Sequence, residues 1–193
     1  MAQKFGTPVE SRWVLIGIGA LAGTIATLPM TLFMLLMQRM LPRSQHYDLP
    51  PEKLTDELIE RAGVKKYTNK PMRTIVALIA HFSYGAVTGV IYPLLRRDKI
   101  PSSVQGITFG LIVWFASYLG LLPTLQVSTT APKEPIQRNI LMIIAHTIWG
   151  ATLGVSSDLL SRWTSGFLAS KKASTTHRMS TNASSSDMRG ALL

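Results

Sequence analysis

The sequence predicts an all-α membrane protein, a bundle of four transmembrane helices built from a duplicated two-helix hairpin. Charged residues make up 16% of the 193 residues, against about 25% in soluble domains. Four segments contain no Asp, Glu, Lys or Arg at all: residues 13–38, 74–95, 100–132 and 139–157. An amphipathic helix of a soluble protein carries charge along its exposed face, so this pattern excludes an ordinary soluble globule.

Each charge-free segment is long enough to supply the roughly 20 apolar residues that cross a bilayer. A membrane domain of residues 1–163 is therefore predicted to contain four spans, at residues 13–38, 74–95, 104–122 and 139–161. Arginines flank the first, second and fourth spans, as is typical of membrane helices. Residues 164–193 are rich in Ser, Thr, Ala and Lys and predict a disordered tail.

The first loop carries the signature of a separate amphipathic helix over residues 51–62. Pro51 suits a first helical position, and Gly63 suits a stop. Charged residues lie mostly on one face, and the other face is apolar, formed by Leu54, Leu58, Ile59 and Ala62. The pattern predicts a helix in the headgroup layer or on the rim of the bundle, with a docking role for a partner as the alternative.

The second and fourth spans are similar to each other at an offset of 65 residues. Residues 73–90 and 138–155 are identical at nine of 18 positions, which indicates an ancestral hairpin that duplicated. The first and third spans share only a Gly-x-x-x-Gly motif. Because one repeat contains two helices, the two copies are predicted to have parallel topology.

Glycines spaced four residues apart occur in all four spans and predict close helix packing. Such residues share one helix face and let a neighbouring backbone approach. The predicted packing residues are Gly19, Gly23, Gly85, Gly89, Gly106, Gly110, Gly150 and Gly154.

His81 and His146 occupy equivalent positions of the two repeats and are the candidate functional residues. Each lies eight residues beyond its flanking arginine, roughly 12 Å along a helix and so near the middle of a 30 Å core. An ionisable group at that depth is a functional candidate. Three roles stay open: hydrogen bonding between helices, proton relay or substrate contact, and bis-histidine ligation of a haem or metal.

Other chemistry has little support in the sequence. There are no cysteines, and no third Cys, His, Asp or Glu lies in any of the four charge-free segments, so no metal site or cofactor is predicted. Asp158 and Arg162 are spaced as an interfacial ion pair. The net charge of +10 is expected to face anionic lipid headgroups rather than nucleic acid.

A resemblance to a known family rests on Tyr92, Lys99-Ile-Pro, Gln105-Gly106, Gly110 and Pro123, followed by His146 and Trp149. Over residues 74–162 the chain resembles the YagU-like group of small bacterial inner-membrane proteins, which are largely uncharacterised. The resemblance implies a multi-span inner-membrane protein and a link to acid tolerance. It supplies no catalytic residues.

These observations predict a non-enzymatic scaffold, interaction or homeostasis component of the bacterial inner membrane. A small proton-coupled transporter or channel using His81 and His146 is the alternative, and a bis-histidine haem protein is the third hypothesis. Expected partners are membrane lipids and either a second copy or another membrane protein. The cations in the turn of Arg96, Arg97 and Lys99 favour cytoplasmic N- and C-termini.

Overall fold

The structure is a computed structural model that describes residues 8–40, 56–57, 59–61, 63, 69–97, 99–121 and 136–190. Helices form almost all of this described part, and no strand occurs in it. The long helices are α1 (Pro8–Met40), α2 (Lys70–Leu95), α3 (Ser102–Ala116) and α4 (Ile136–Gly190), and a π-helical segment, Ser117–Leu121, follows α3 directly. The prediction of an all-α chain is confirmed for these residues.

Three helices are long and apolar enough to cross a membrane, over Arg12–Arg39, Lys70–Leu95 and Ile136–Leu168. They contain the predicted first, second and fourth spans and extend them at their ends. The chain is therefore an integral membrane protein by the length and composition of its helices.

The predicted third span, residues 104–122, corresponds to a shorter helix. With 15 residues, α3 rises only about 22 Å, less than the roughly 30 Å of a hydrocarbon core. The π-helical segment Ser117–Leu121 continues the helical backbone beyond it. A fourth crossing of the membrane would therefore need α3 and the π-helical segment together, and it stays a prediction.

Local signals explain where α2 and α3 begin. The side chain of Asn69 caps α2 by accepting a hydrogen bond from the backbone N–H of Met72 at 3.0 Å. Between α2 and α3, the Gln105 amide holds the connecting turn. Its Nε2 donates to the carbonyls of Arg97 and Ile100, and its Oε1 accepts from the N–H of Arg97, all at 2.7 Å.

The chain divides into two compact units, Met1–Asp158 and Leu159–Leu193. In the second unit the backbone is helical up to Gly190, and the rings of Trp163 and Phe167 stack with centroids 6.3 Å apart. The disordered tail that the composition of residues 164–193 predicts stays a prediction.

The amphipathic helix of residues 51–62 lies largely outside the described residues, although residues 56–57 and 59–61 have helical backbone.

Candidate functional site

The first two helices approach each other backbone to backbone. A Cβ atom at Gly19 would lie 2.6 Å from the carbonyl oxygen of Gly89, and one at Gly89 would lie 2.8 Å from the Cα of Gly23. A Cβ at Gly23 would collide with the carbonyl oxygen of Gly85. Any side chain at Gly19, Gly23 or Gly89 would therefore meet main-chain atoms, which move little.

The third and fourth helices make an equivalent contact. A Cβ at Gly106 would collide with the carbonyl oxygen of Gly150 and lie 2.9 Å from the backbone nitrogen of Gly154. A Cβ at Gly110 would collide with the carbonyl oxygen of His146. Glycines of the two Gly-x-x-x-Gly motifs in α1 and α3 thus lie against the glycines of the repeated segments in α2 and α4.

A buried layer of polar and aromatic side chains joins all four helices. Thr27 of α1 accepts a hydrogen bond from the indole Nε1 of Trp149 in α4 at 3.3 Å. The Trp149 ring stacks on Phe109 of α3 with centroids 6.1 Å apart, and Phe109 in turn contacts Tyr92 of α2 at 5.6 Å. The Tyr92 hydroxyl donates to the carbonyl of Ser102 at 3.0 Å. The layer fixes the two helix pairs against each other.

His146 lies one turn before Trp149 in α4, and His81 lies one turn before Gly85 in α2. His81 Nε2 is buried and has no hydrogen-bond partner among the described residues. His146 Nδ1 lies 2.8 Å from the carbonyl oxygen of Met142, one turn earlier in the same helix. His81 shares a helix face with Gly85, which packs on α1, and His146 shares one with Gly150, which packs on α3.

Aromatic and hydroxyl groups form contacts within α3 and the π-helical segment and between that segment and α2. Tyr84, three residues after His81, shares a hydrogen bond of 2.7 Å with the Ser117 hydroxyl. The rings of Trp114 and Tyr118 lie 5.9 Å apart. The indole Nε1 of Trp114 is buried with no hydrogen-bond partner in the described part of the chain. π-Helical turns occur frequently at functional sites, and this one begins at Ser117.

Charged groups lie at both ends of the helices. Arg96, at the end of α2, donates to the Asp158 carboxylate in α4 at 2.5 Å. Sequence spacing indicated Arg162 as the partner of Asp158 and gave no sign of Arg96, which is distant along the chain. At the other end, Arg73 lies 3.7 Å from Asp56 of the first loop, and its repeat equivalent, Arg138, is only 4% exposed.

The close glycine contacts bear on the haem hypothesis. A haem would need apolar space next to each histidine. The glycines on the same helix faces, at positions 85, 89, 150 and 154, would have to provide that space. In the structure the backbone or side chain of a neighbouring helix occupies that space. The glycine faces therefore leave no gap for a macrocycle. In addition, the described residues contain no group of three or more His, Cys, Asp or Glu placed to hold a metal ion.

Residues 34–155 match the family described as proteins of unknown function, DUF1440. The match covers more than half of the chain and includes both histidines and six of the eight packing glycines, those at positions 85, 89, 106, 110, 150 and 154. The chain belongs to this family. No curated protein and no solved structure gave a match.

Proposed function

We propose that this protein is a four-span membrane protein made of two glycine-packed hairpins, and that it acts as a non-enzymatic scaffold, interaction or homeostasis component. The observation that carries the proposal is the pair of equivalent backbone contacts, Gly23 against Gly85 and Gly106 against Gly150. Close packing of this kind stabilises helix pairs in lipid, where burial of apolar surface gives no net driving force. The repeat of residues 73–90 and 138–155 supports a duplicated hairpin.

A non-enzymatic role is supported by the distribution of chemical groups. The four charge-free segments hold no carboxylate, amine, guanidinium or thiol, so a general acid or base there would have to be a histidine or a tyrosine, and a nucleophile would have to be a histidine or a hydroxyl group. The resemblance to the YagU-like group supports placement in the bacterial inner membrane, and the cations of the turn after α2 support cytoplasmic termini.

The number of crossings is testable with single cysteines because the natural chain has none. We would place one cysteine at a time at Gln3, Ser44, Lys99, Ser128 and Ser170, and label whole cells with a membrane-impermeant maleimide. Four crossings place positions 44 and 128 on one side and positions 3, 99 and 170 on the other. Labelling of positions 99 and 128 from the same side would show that residues 102–121 do not cross, and would overturn the four-span proposal.

The interaction role requires a separate measurement. Purification in a mild detergent, followed by native mass spectrometry, should give a complex with a second copy or with a membrane protein in fixed stoichiometry. A chain that purifies alone as a monomer, at concentrations near those in the membrane, would contradict a scaffold role.

A second candidate function, proton-coupled transport, is favoured by one observation. His81 Nε2 is buried with no hydrogen-bond partner among the described residues, and a second histidine, His146, stands at the equivalent position of the similar segment in α4. Histidine is the side chain best suited to exchange protons near neutral pH. Purified protein in liposomes should then dissipate a pH gradient, and His81→Phe should abolish that flux. Equal flux with and without the histidine would remove this candidate.

A further inference from the structure

The last helix is longer than a membrane crossing requires. Its apolar stretch, Ile136–Leu168, has 33 residues and rises about 50 Å at roughly 1.5 Å per residue. A hydrocarbon core is roughly 30 Å thick, and the headgroup layers bring the bilayer to about 40–45 Å. An upright helix of this length would therefore carry its last apolar side chains out of the core. The helical backbone continues beyond them to Gly190.

The side chains at the end of this stretch are arranged as in a helix that lies at a membrane surface. Leu159, Trp163 and Phe167 follow one another at intervals of four residues and so share one face. Their exposed fractions are 62%, 72% and 62%. By the helical period, Ser161 and Ser165 lie on the opposite face. Large apolar and aromatic residues on one face, with polar residues opposite, are typical of interfacial helices.

Charge in this part of the chain is only positive. No Asp or Glu occurs in residues 159–186. The same segment contains four cations: Arg162, Lys171, Lys172 and Arg178. By contrast, the stretch before the first span and each loop between spans contain at least one carboxylate. A segment with charge of this one sign attracts anionic headgroups, and it opposes pairing with the same segment of a second copy because like charges would meet.

A membrane surface reconciles the composition of the tail with its helical backbone. Residues 164–193 are rich in Ser, Thr, Ala and Lys, and such a segment does not hold a helix in water by itself. The backbone is nevertheless helical to Gly190. A bilayer surface supplies what this segment lacks, because it takes up the exposed rings of Trp163 and Phe167 and places anionic groups beside the cations.

We propose that residues 159–178 form an interfacial helix that binds the headgroups of anionic phospholipids. The face of Leu159, Trp163 and Phe167 enters the boundary between headgroups and acyl chains, and the four cations contact the phosphates. Binding of this kind depends on both the apolar area and the charge. The proposal goes beyond the proposed function, and it requires only that the chain is a membrane protein.

The test places a spin label on the full chain, which has no natural cysteine. Gly166→Cys reports on the side of Trp163, three residues earlier, and a Cβ at this glycine meets nothing within 4 Å. Ser165→Cys reports on the opposite face. The protein is placed in nanodiscs of phosphatidylcholine alone, or of a three-to-one mixture with phosphatidylglycerol. Electron paramagnetic resonance then compares collisions of the label with oxygen, which dissolves in lipid, and with a nickel chelate, which stays in water.

The expected result is a label at position 166 that enters lipid only when the membrane is anionic. Its ratio of oxygen to nickel collisions should rise at least about threefold from phosphatidylcholine to the mixture. The label at position 165 should stay accessible to nickel in both. Replacing the four cations of the segment by Gln should abolish the rise at position 166, and so should Trp163→Ala combined with Phe167→Ala.

The matched control removes two cations elsewhere. Arg97→Gln with Lys99→Gln neutralises exposed residues of the turn after α2, and it should leave the rise at position 166 unchanged. All the test substitutions follow Gly154, the last glycine in contact with another helix, so the bundle should fold in each variant.

Three outcomes would overturn the proposal. The first is an equal collision ratio at position 166 in the two lipid compositions, and the second is an equal loss of the rise in the control variant. The third is a label that is immobile in both compositions and shows dipolar broadening from a neighbouring label. That result would assign the face of Trp163 and Phe167 to a second copy of the chain.

Discussion

Thr27 of the first helix accepts a hydrogen bond from the indole Nε1 of Trp149 in the last helix, over a distance of 3.3 Å. Both residues are buried, and Thr27 is only 1% exposed. The same hydroxyl donates to the carbonyl of Gly23 at 2.8 Å. This contact connects the α1–α2 pair to α4, and the stack of Trp149 on Phe109 carries the connection on to α3.

Loss of the Thr27 hydroxyl should destabilise the bundle measurably. Thr27→Val keeps the shape of the side chain and leaves the Trp149 N–H buried without an acceptor, which lowers the free energy of unfolding by about 1 to 2 kcal/mol. Thermal or detergent-induced unfolding in micelles would measure the change. Thr31→Val is the control and should have less effect, since within the described part of the chain the Thr31 hydroxyl bonds only to the Thr27 carbonyl of its own helix. A double-mutant cycle with Trp149→Phe should return a coupling energy near that loss; additivity would show that the bond contributes nothing.

The glycine contacts of α1 should tolerate no side chain. Gly23→Ala places a methyl group on the Gly85 carbonyl, and separating the two helices should lower the free energy of unfolding by about 1 to 3 kcal/mol. Gly17→Ala, in the same helix, meets nothing within 4 Å and should be neutral or stabilising by up to about 1 kcal/mol through helix propensity. Equal effects of the two substitutions in an unfolding experiment would show that the helices are not held together at Gly23. By the repeat, Gly106→Ala should behave like Gly23→Ala.

Gly85 differs from the other glycines because its neighbour is a side chain. A Cβ at this position would collide with the Thr27 hydroxyl. Gly85→Ala should therefore be destabilising in the natural background and nearly neutral when Thr27 is also replaced by Ala. Unfolding of the two single variants and the double variant would show this as a favourable coupling. The collision at Gly23 is with backbone, so Gly23→Ala combined with Thr27→Ala should show no such rescue.

The ion pair of Arg96 and Asp158 should contribute to stability because both groups are partly buried, with side-chain exposures of 27% and 16%. Arg96→Ala should lower the free energy of unfolding by about 1.5 to 3 kcal/mol, the range for hydrogen bonds to charged groups. Arg97→Ala, at the exposed neighbouring position, is the matched control. Exchange of the two charges, Arg96→Asp with Asp158→Arg, should restore part of the stability lost in either single variant. A double variant no more stable than its parents would contradict a direct pair.

The helices themselves follow closely from the sequence. Charge-free stretches of 20 or more apolar residues can satisfy their backbone in lipid only as helices or closed barrels, and the segments at residues 13–38 and 74–95 became α1 and α2. The third segment was harder to predict, because apolar character does not distinguish a straight α-helix from one that turns into a π-helical segment at Ser117. The spacing of Asp158 and Arg162 predicts a local pair, and the structure adds Arg96 as a partner of Asp158 that spacing along one helix could not indicate.

The sequence by itself determined the class of protein, the helical segments, the glycine-bearing faces and the equivalent positions of His81 and His146 in two similar segments. Each of these depends only on composition, on the periodicity of a single helix or on the comparison of one stretch of the chain with another. Only the tertiary structure decided which surfaces meet: Gly23 with Gly85, Thr27 with Trp149, and Arg96 with Asp158. Periodicity shows which residues share a face of one helix. The facing helix is selected by packing and hydrogen bonding between segments that are far apart in the chain.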